Sequence, residues 1–292
     1  MPNLTIPKPA NFSFRHTINS HGWYDLRPFE LDAERNSLGY VFRLANDETP
    51  VFADIRERGG IIEIKTDARV PDAAALKSSV RHLLRLDDEI GEFYDAAAKL
   101  GKVTWASECF AGRLLRSATV FEDLIKTVCT TNCTWSVTRG MTTKLAENLG
   151  QETACGRRAF PTAEAMAAMP ADFYRDVIRA GYRAEYLAEI AVAAADGKLD
   201  PESWLTSGLP TPELKKEMKR VKGVGDYAAD NLLKLIGRYD GLALDSWLRA
   251  GFYKKHNRGK KCPDKKIERH YAKFDKWRGL AIWCDMTEDW FS

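Results

Sequence analysis

Two glycines two residues apart, set between two helical patterns, constrain this chain more than any other feature. Residues 214–249 read LKKEMKRVKGVGDYAADNLLKLIGRYDGLALDSWLR. Within them Val221-Lys222-Gly223-Val224-Gly225-Asp226 makes a tight turn, where glycine permits backbone conformations that a side chain would block. The second helix is expected to start near Asp226, with its first N–H groups unpaired and facing outward, a ready site for phosphate. The carbonyls of Lys219, Val221 and Val224 are candidate ligands for a monovalent cation bridging to such a phosphate. Ala228, Ala229, Leu232, Leu233, Leu235 and Ile236 then give a buried helix face. A turn follows at 239–241, and 242–245 (LALD) is an apolar run ending in Asp245 at an expected helix start. A glycine turn alone joins many helix pairs, so its weight comes from this continuation.

The rest of the chain divides near residue 72. Segments 40–44 (YVFRL), 50–55 (PVFADI) and 60–65 (GIIEIK) are short and rich in β-branched or aromatic residues, separated by turns at Asn46-Asp47 and Gly59-Gly60. Residues 1–72 therefore read as a small antiparallel sheet. Beyond Pro71-Asp72 the spacing turns helical, over 73–86, 90–100, 121–133, 136–149, 164–168, 183–195, 212–220, 226–237, 245–253 and 264–284. The expected fold class is α+β: an antiparallel sheet domain over 1–72, and a mainly helical domain over 73–292 carrying the hairpin at about 214–237.

An apolar fraction of 45% and a charged fraction of 29% are those of a soluble globular chain. No apolar run reaches the roughly 18 residues a membrane helix needs. The first residues, MPNLTIPKPANFSF, lack the charged-then-apolar pattern of a signal peptide, so a cytoplasmic protein is expected. The net charge of +3 is compatible with a polyanionic partner without implying one. The basic runs 215–222 and 254–266 each read, taken alone, as solvated surface. No disulfide framework is expected. Cys129 and Cys133, four apart on one side of a helix, lack the other ligands of a metal site and read as buried inert thiols. No closely spaced set of four cysteines suggests an iron–sulfur cluster. The five histidines show no metal-ligand spacing; His21, in Ser20-His21-Gly22-Trp23-Tyr24, is expected to pack the sheet against the helices.

The hairpin VKGVGDYAADNLL with the downstream LALDSWLR closely resembles the helix–hairpin–helix DNA glycosylase superfamily. Segment 121–132 (FEDLIKTVCTTN), Phe160-Pro161-Thr162 and 181–186 (GYRAEY) resemble its 8-oxoguanine and 3-methyladenine glycosylase branch. The resemblance covers roughly residues 105–285. It implies excision of a damaged purine, oxidised or alkylated, from double-stranded DNA by a monomer needing no cofactor beyond the hairpin cation. It places the catalytic carboxylate at Asp245, the filling of the vacated duplex position at Asn132, and a wedge at Tyr182 and Arg183. Members that also cut the strand carry a lysine two positions after the second hairpin glycine; here that position is Tyr227, so a monofunctional enzyme leaving an abasic site is expected.

The chemistry needs each of these parts. A base inside a duplex must be turned out of the stack at a cost of a few kcal/mol. The amides of Gly223, Val224 and Gly225, with Lys222, would grip the phosphates. Cleavage of the base–sugar bond develops oxocarbenium character, which a carboxylate stabilises while orienting or deprotonating the attacking water. Trp135, Tyr227, Trp247 and Trp283 are candidates for stacking on the base, with Asp285 a weaker pocket candidate.

Plainer readings stand beside these. Asp245 serves equally as a helix N-cap, Asn132 as the C-terminal cap of its helix, Tyr182 and Arg183 as surface residues, and the aromatics as core. Two rival functions are a catalytically silent protein that grips damaged DNA, and a glycosylase/lyase using a lysine elsewhere.

Overall fold

The computed structural model describes residues 3–44 and 49–291, so the expected turn at Asn46-Asp47 lies outside the described residues. Five strands form one antiparallel sheet: β1 (Asn3–Pro7), β2 (Glu30–Asp32), β3 (Ser37–Phe42), β4 (Val51–Arg58) and β5 (Ile61–Thr66). Their order is β1-β5-β4-β3-β2. Gly59 and Gly60 join β4 to β5 at φ 58° and 83°, the left-handed values that a two-residue hairpin asks of its central pair. Along β4, Val51, Ala53 and Ile55 are buried and alternate with half-exposed residues, the period of a strand with one face inward.

That core includes Leu76, Val80, Leu83 and Leu84 from the helix Ala73–Leu84. Asp72 caps it, its Oδ1 accepting from Ala75 N at 2.8 Å. The sheet's core thus continues past residue 72 and takes in Leu115 and Leu235.

The helical part builds two further cores. One gathers Leu124, Leu187, Leu214 and Leu232 from the helices Val120–Thr130, Ala184–Ala195, Thr211–Met218 and Asp226–Leu235. Leu232 is fully buried, and truncating such a leucine to Ala costs about 2–5 kcal/mol. The other packs Phe93, Leu248, Phe252, Ile267 and Leu280 from Gly91–Leu100, Ser246–His256, Asp264–Tyr271 and Arg278–Thr287.

The structure departs from the sequence reading in several places, among them two that bear on the frame of the site. The continuous helix expected over 264–284 is broken into Asp264–Tyr271, a 3-10 segment Ala272–Trp277 and Arg278–Thr287, with Asp275 at φ 50° and ψ −122°. The last helix lies so close to the preceding turn that a Cβ on Gly279 would sit 2.1 Å from the Gly241 carbonyl oxygen, and Gly279 N donates to Tyr239 O at 2.7 Å. The N-terminal part, expected as β, also contains the helix Phe14–Ile18 and a 3-10 turn Gly22–Asp25, both too short to show a period. Among the described residues no helix is long and apolar enough to cross a membrane.

Candidate active site

The helix Asp226–Leu235 is fixed at both ends. At its carbonyl end, Arg85 Nη1 donates to the carbonyls of Lys234 and Leu235 at 3.1 and 3.2 Å, and Arg116 Nε donates to Leu235 O. Cationic donors there satisfy the carbonyls a helix leaves open and complement its dipole. Its other end is the glycine turn. The face holding Tyr227, Asn231 and Lys234, at spacings of four and three, borders a cavity of about 440 Å³ that the N-terminal part, the hairpin and the C-terminal helices enclose together.

Asp245 lies on this cavity, half-buried. It is the N-cap of Ser246–His256: Oδ1 accepts from Leu248 N at 2.7 Å. The other carboxylate oxygen accepts no hydrogen bond among the described residues. Capping the helix therefore leaves one oxygen of the carboxylate open. The approach to Asp245 is strained: buried Ala243 takes φ 49°, a conformation costing a non-glycine residue on the order of 1–2 kcal/mol. Arg249 holds that approach, donating to Leu244 O at 3.1 Å while pairing with both oxygens of Asp264 at 2.9 and 2.8 Å.

All four expected stacking residues border the cavity. Trp247 and Trp283 stand 5.8 Å apart between ring centroids, and Trp290 stands 5.6 and 5.9 Å from them. Trp283 Nε1 donates to Ser20 O at 2.9 Å, tying the last helix to the N-terminal part. Trp135 donates through Nε1 to Asp25 at 2.8 Å. His21-Gly22-Trp23, expected only to pack the sheet on the helices, also lines the cavity. His21 Nε2 lies 2.7 Å from Leu115 O, an acceptor, so Nε2 carries the proton. Burial pushes the imidazole down to about 4, which leaves it neutral.

Sequence reasoning missed Trp290, Thr127 and Lys234 on this wall. Lys234 is buried, its Nζ without a hydrogen-bond partner among the described residues and 4.8 Å from the Trp283 ring centroid. Burial lowers its ammonium to about 8, against the opposing pull of Asp245 and Asp230. The signal was present in the sequence: Lys234 is seven residues after Tyr227, on the same helix face.

The hairpin forms a separate shallow groove with Asn132 and Tyr182. Only Gly223 takes a left-handed backbone, φ 90°, where a Cβ would lie 2.8 Å from the Tyr186 ring. Gly225 is extended with open space beside it, so its need for glycine is not conformational. Lys222 is exposed and ion-paired with Glu189, and Lys219 bonds Asp226 at 3.0 Å. Val221 O accepts from Val224 N at 3.0 Å, so the Val224 amide is not open to phosphate as expected, while the carbonyls of Lys219 and Val224 accept no such bond among the described residues.

Asn132 takes φ 46°, and its amide reaches the Tyr182 hydroxyl at 3.3 Å rather than the end of its helix. Tyr182 is exposed, but Arg183 is not the outward wedge expected. It is buried, donating through Nε to Thr131 Oγ1 at 3.2 Å, with its guanidinium 4.4 Å from the Tyr182 ring centroid. Asp285 does not line the cavity either; it is held by Tyr271 at 2.5 Å, Lys255 at 2.9 Å and His256 at 2.6 Å. The fold brings His256, His270 and Asp285 within 4.8 Å of one another, a grouping that linear spacing did not show, but the Lys255 ammonium already occupies that carboxylate. Burial raises the Cys129 thiol to about 12, and Cys133 Sγ donates to Cys129 O at 3.1 Å.

No protein family matches the chain, and no curated protein matches it in sequence. Solved structures do share its fold. A 3-methyladenine DNA glycosylase from Archaeoglobus fulgidus superposes with a TM-score of 0.78 at 18% identity, over 99% of each chain. An 8-oxoguanine glycosylase/lyase from Clostridium acetobutylicum does so at 0.75 and 17% identity, over 97% of this chain and 95% of that one. The same enzyme bound to double-stranded DNA with cytosine opposite 8-oxoguanine gives 0.71 and 16% identity, over 96% and 93%. The chain therefore has the α+β fold of DNA glycosylases from end to end.

Proposed function

We propose that this protein is a monofunctional DNA glycosylase that turns a damaged purine out of double-stranded DNA and hydrolyses its bond to the sugar. The observation that carries this reading is the place of Asp245, on the wall of an aromatic cavity whose other wall is the hairpin's second helix. The fold shared with glycosylases for 3-methyladenine and 8-oxoguanine supports it. An extruded base would stack among Trp135, Tyr227, Trp247 and Trp283, while the amides of Gly223 and Gly225 and the start of Asp226–Leu235 receive phosphate. The carbonyls of Lys219, Val221 and Val224 would share a monovalent cation with that phosphate; Val221 O brings one remaining lone pair, the other two carbonyls both. Asn132 and Tyr182, adjacent at the groove's edge, would fill the vacated position, with Arg183 bracing Tyr182 from behind.

As the base leaves, the free oxygen of Asp245 faces the developing positive charge and orients the attacking water. Tyr227 has no amine with which to form a Schiff base. A glycosylase/lyase reading has one observation in its favour, the partnerless amine of Lys234 on the same cavity. Borohydride added to the protein on lesion-containing DNA separates the two. Monofunctional hydrolysis gives no covalent adduct and strand breaks only after alkali; a trapped adduct would make the enzyme a lyase.

A further inference from the structure

Resting on the glycosylase reading, we propose that Lys234 and Thr127 read the extruded base: they bond the acceptor edge of a neutral, carbonyl-bearing purine and exclude a base carrying positive charge. Each is more than nine-tenths buried, each lines the cavity, and Lys234 Nζ and Thr127 Oγ1 have no hydrogen-bond partner among the described residues. Buried polar atoms without partners are rare in folded proteins, and each calls for a partner or a role. The two come from different helices, Val120–Thr130 and Asp226–Leu235, and both line the one cavity.

Their chemistry selects the ligand. An ammonium has three donors and no acceptor, so the base it serves must present carbonyl oxygen or unprotonated ring nitrogen. A threonine hydroxyl can donate or accept beside it. An aromatic box by itself takes any flat base and favours cationic ones. Here Lys234 already lies 4.8 Å from the Trp283 ring, and a second cation in the same low-dielectric space is repelled. The neighbouring imidazole of His21 is neutral and does not offset this, and the Asp245 carboxylate on the same cavity already faces the charge of Lys234. Lys234 is seven residues along the helix from Tyr227, about 10 Å further from the hairpin end.

The test is single-turnover release of four bases: 8-oxoguanine and hypoxanthine, which are neutral and carry carbonyls, and 7-methylguanine and 3-methyladenine, which are cationic as nucleotides. The wild type is compared with Lys234→Met and Thr127→Val, both close in shape to the residues they replace. The wild type is expected to prefer the neutral pair. Lys234→Met should slow release of the neutral pair at least tenfold and speed release of the cationic pair; Thr127→Val should slow the neutral pair alone. A wild type that prefers cationic bases, or variants that leave the neutral-to-cationic ratio unchanged, would overturn the assignment while leaving the glycosylase reading intact. So would a borohydride adduct that Lys234→Met abolishes, since the amine would then act on the sugar. Release of no base by the wild type would instead overturn the glycosylase reading itself.

Discussion

The indole of Trp135 lies against the backbone of Gly22 so closely that a Cβ there would come within 2.5 Å of its Cζ2. One cavity wall thus depends on the absence of a side chain over a hundred residues away. Gly22→Ala should push Trp135, which is part-exposed, out of its place. Base release should fall about tenfold, while the thermal midpoint changes by no more than a degree or two. An unchanged rate would show that Trp135 does not shape the occupied cavity.

Asp245 caps a helix, and on the proposed reading it is also the reacting carboxylate; substitution separates the two roles. Asn caps a helix about as well as Asp, whereas Ala forfeits about 1 kcal/mol. Asp245→Asn should therefore unfold at the wild-type temperature and bind lesion DNA, yet release base on the order of 100-fold or more slowly. Asp245→Ala should add a small loss of stability. Full activity in the Asn variant would leave only the cap.

The hairpin glycines should behave differently. Gly223→Ala demands left-handed backbone and meets Tyr186, so it should destabilise the fold by about 1–3 kcal/mol in denaturant titration. Gly225→Ala has open space and extended backbone, and should leave stability unchanged while weakening DNA binding. Unchanged DNA binding in Gly225→Ala would contradict the groove as a phosphate site.

Lys234 makes a pH prediction. Its ammonium falls to about 8, below the ordinary lysine range near 10.4 that the unfolded chain keeps. Between those values the unfolded state holds the extra proton, so this residue's contribution to stability rises with pH there. Asp245 and Asp230 act on it from its surroundings, and His21 lies near it in neutral form. The difference in stability between wild type and Lys234→Met should therefore shift in favour of the wild type from pH 8 to 10. Release of a neutral base should fall over the same rise, as the ammonium loses its charge. A flat difference would mean that Lys234 titrates as if exposed.

Much of the frame was legible because it depends on local spacing. β-branched runs and Gly59-Gly60 marked the central hairpin of the sheet, and Gly223 with the apolar face from Ala228 to Leu235 marked the helical hairpin. The cavity was only half legible. Trp283 bonds Ser20 across 263 residues, and Trp135 reaches Asp25 across 110, so no local pattern announces that His21-Gly22-Trp23 completes the wall. Arg183 was misplaced for a related reason: its neighbour Tyr182 is exposed, but the 3-10 turn Gly181–Arg183 directs the guanidinium inward to Thr131. Lys234 is hidden from a sequence reading because a lysine beside an apolar helix face ordinarily reads as its solvated border.

Hydrolysis of the glycosidic bond is tested by incubating the wild-type protein with duplexes carrying one labelled damaged purine each and measuring free base released. Release of intact free base is expected, with an abasic site left behind and strand breakage only after alkali. Tight binding of the same duplexes without release of any base would contradict it and leave a protein that grips damaged DNA but does not cut the glycosidic bond.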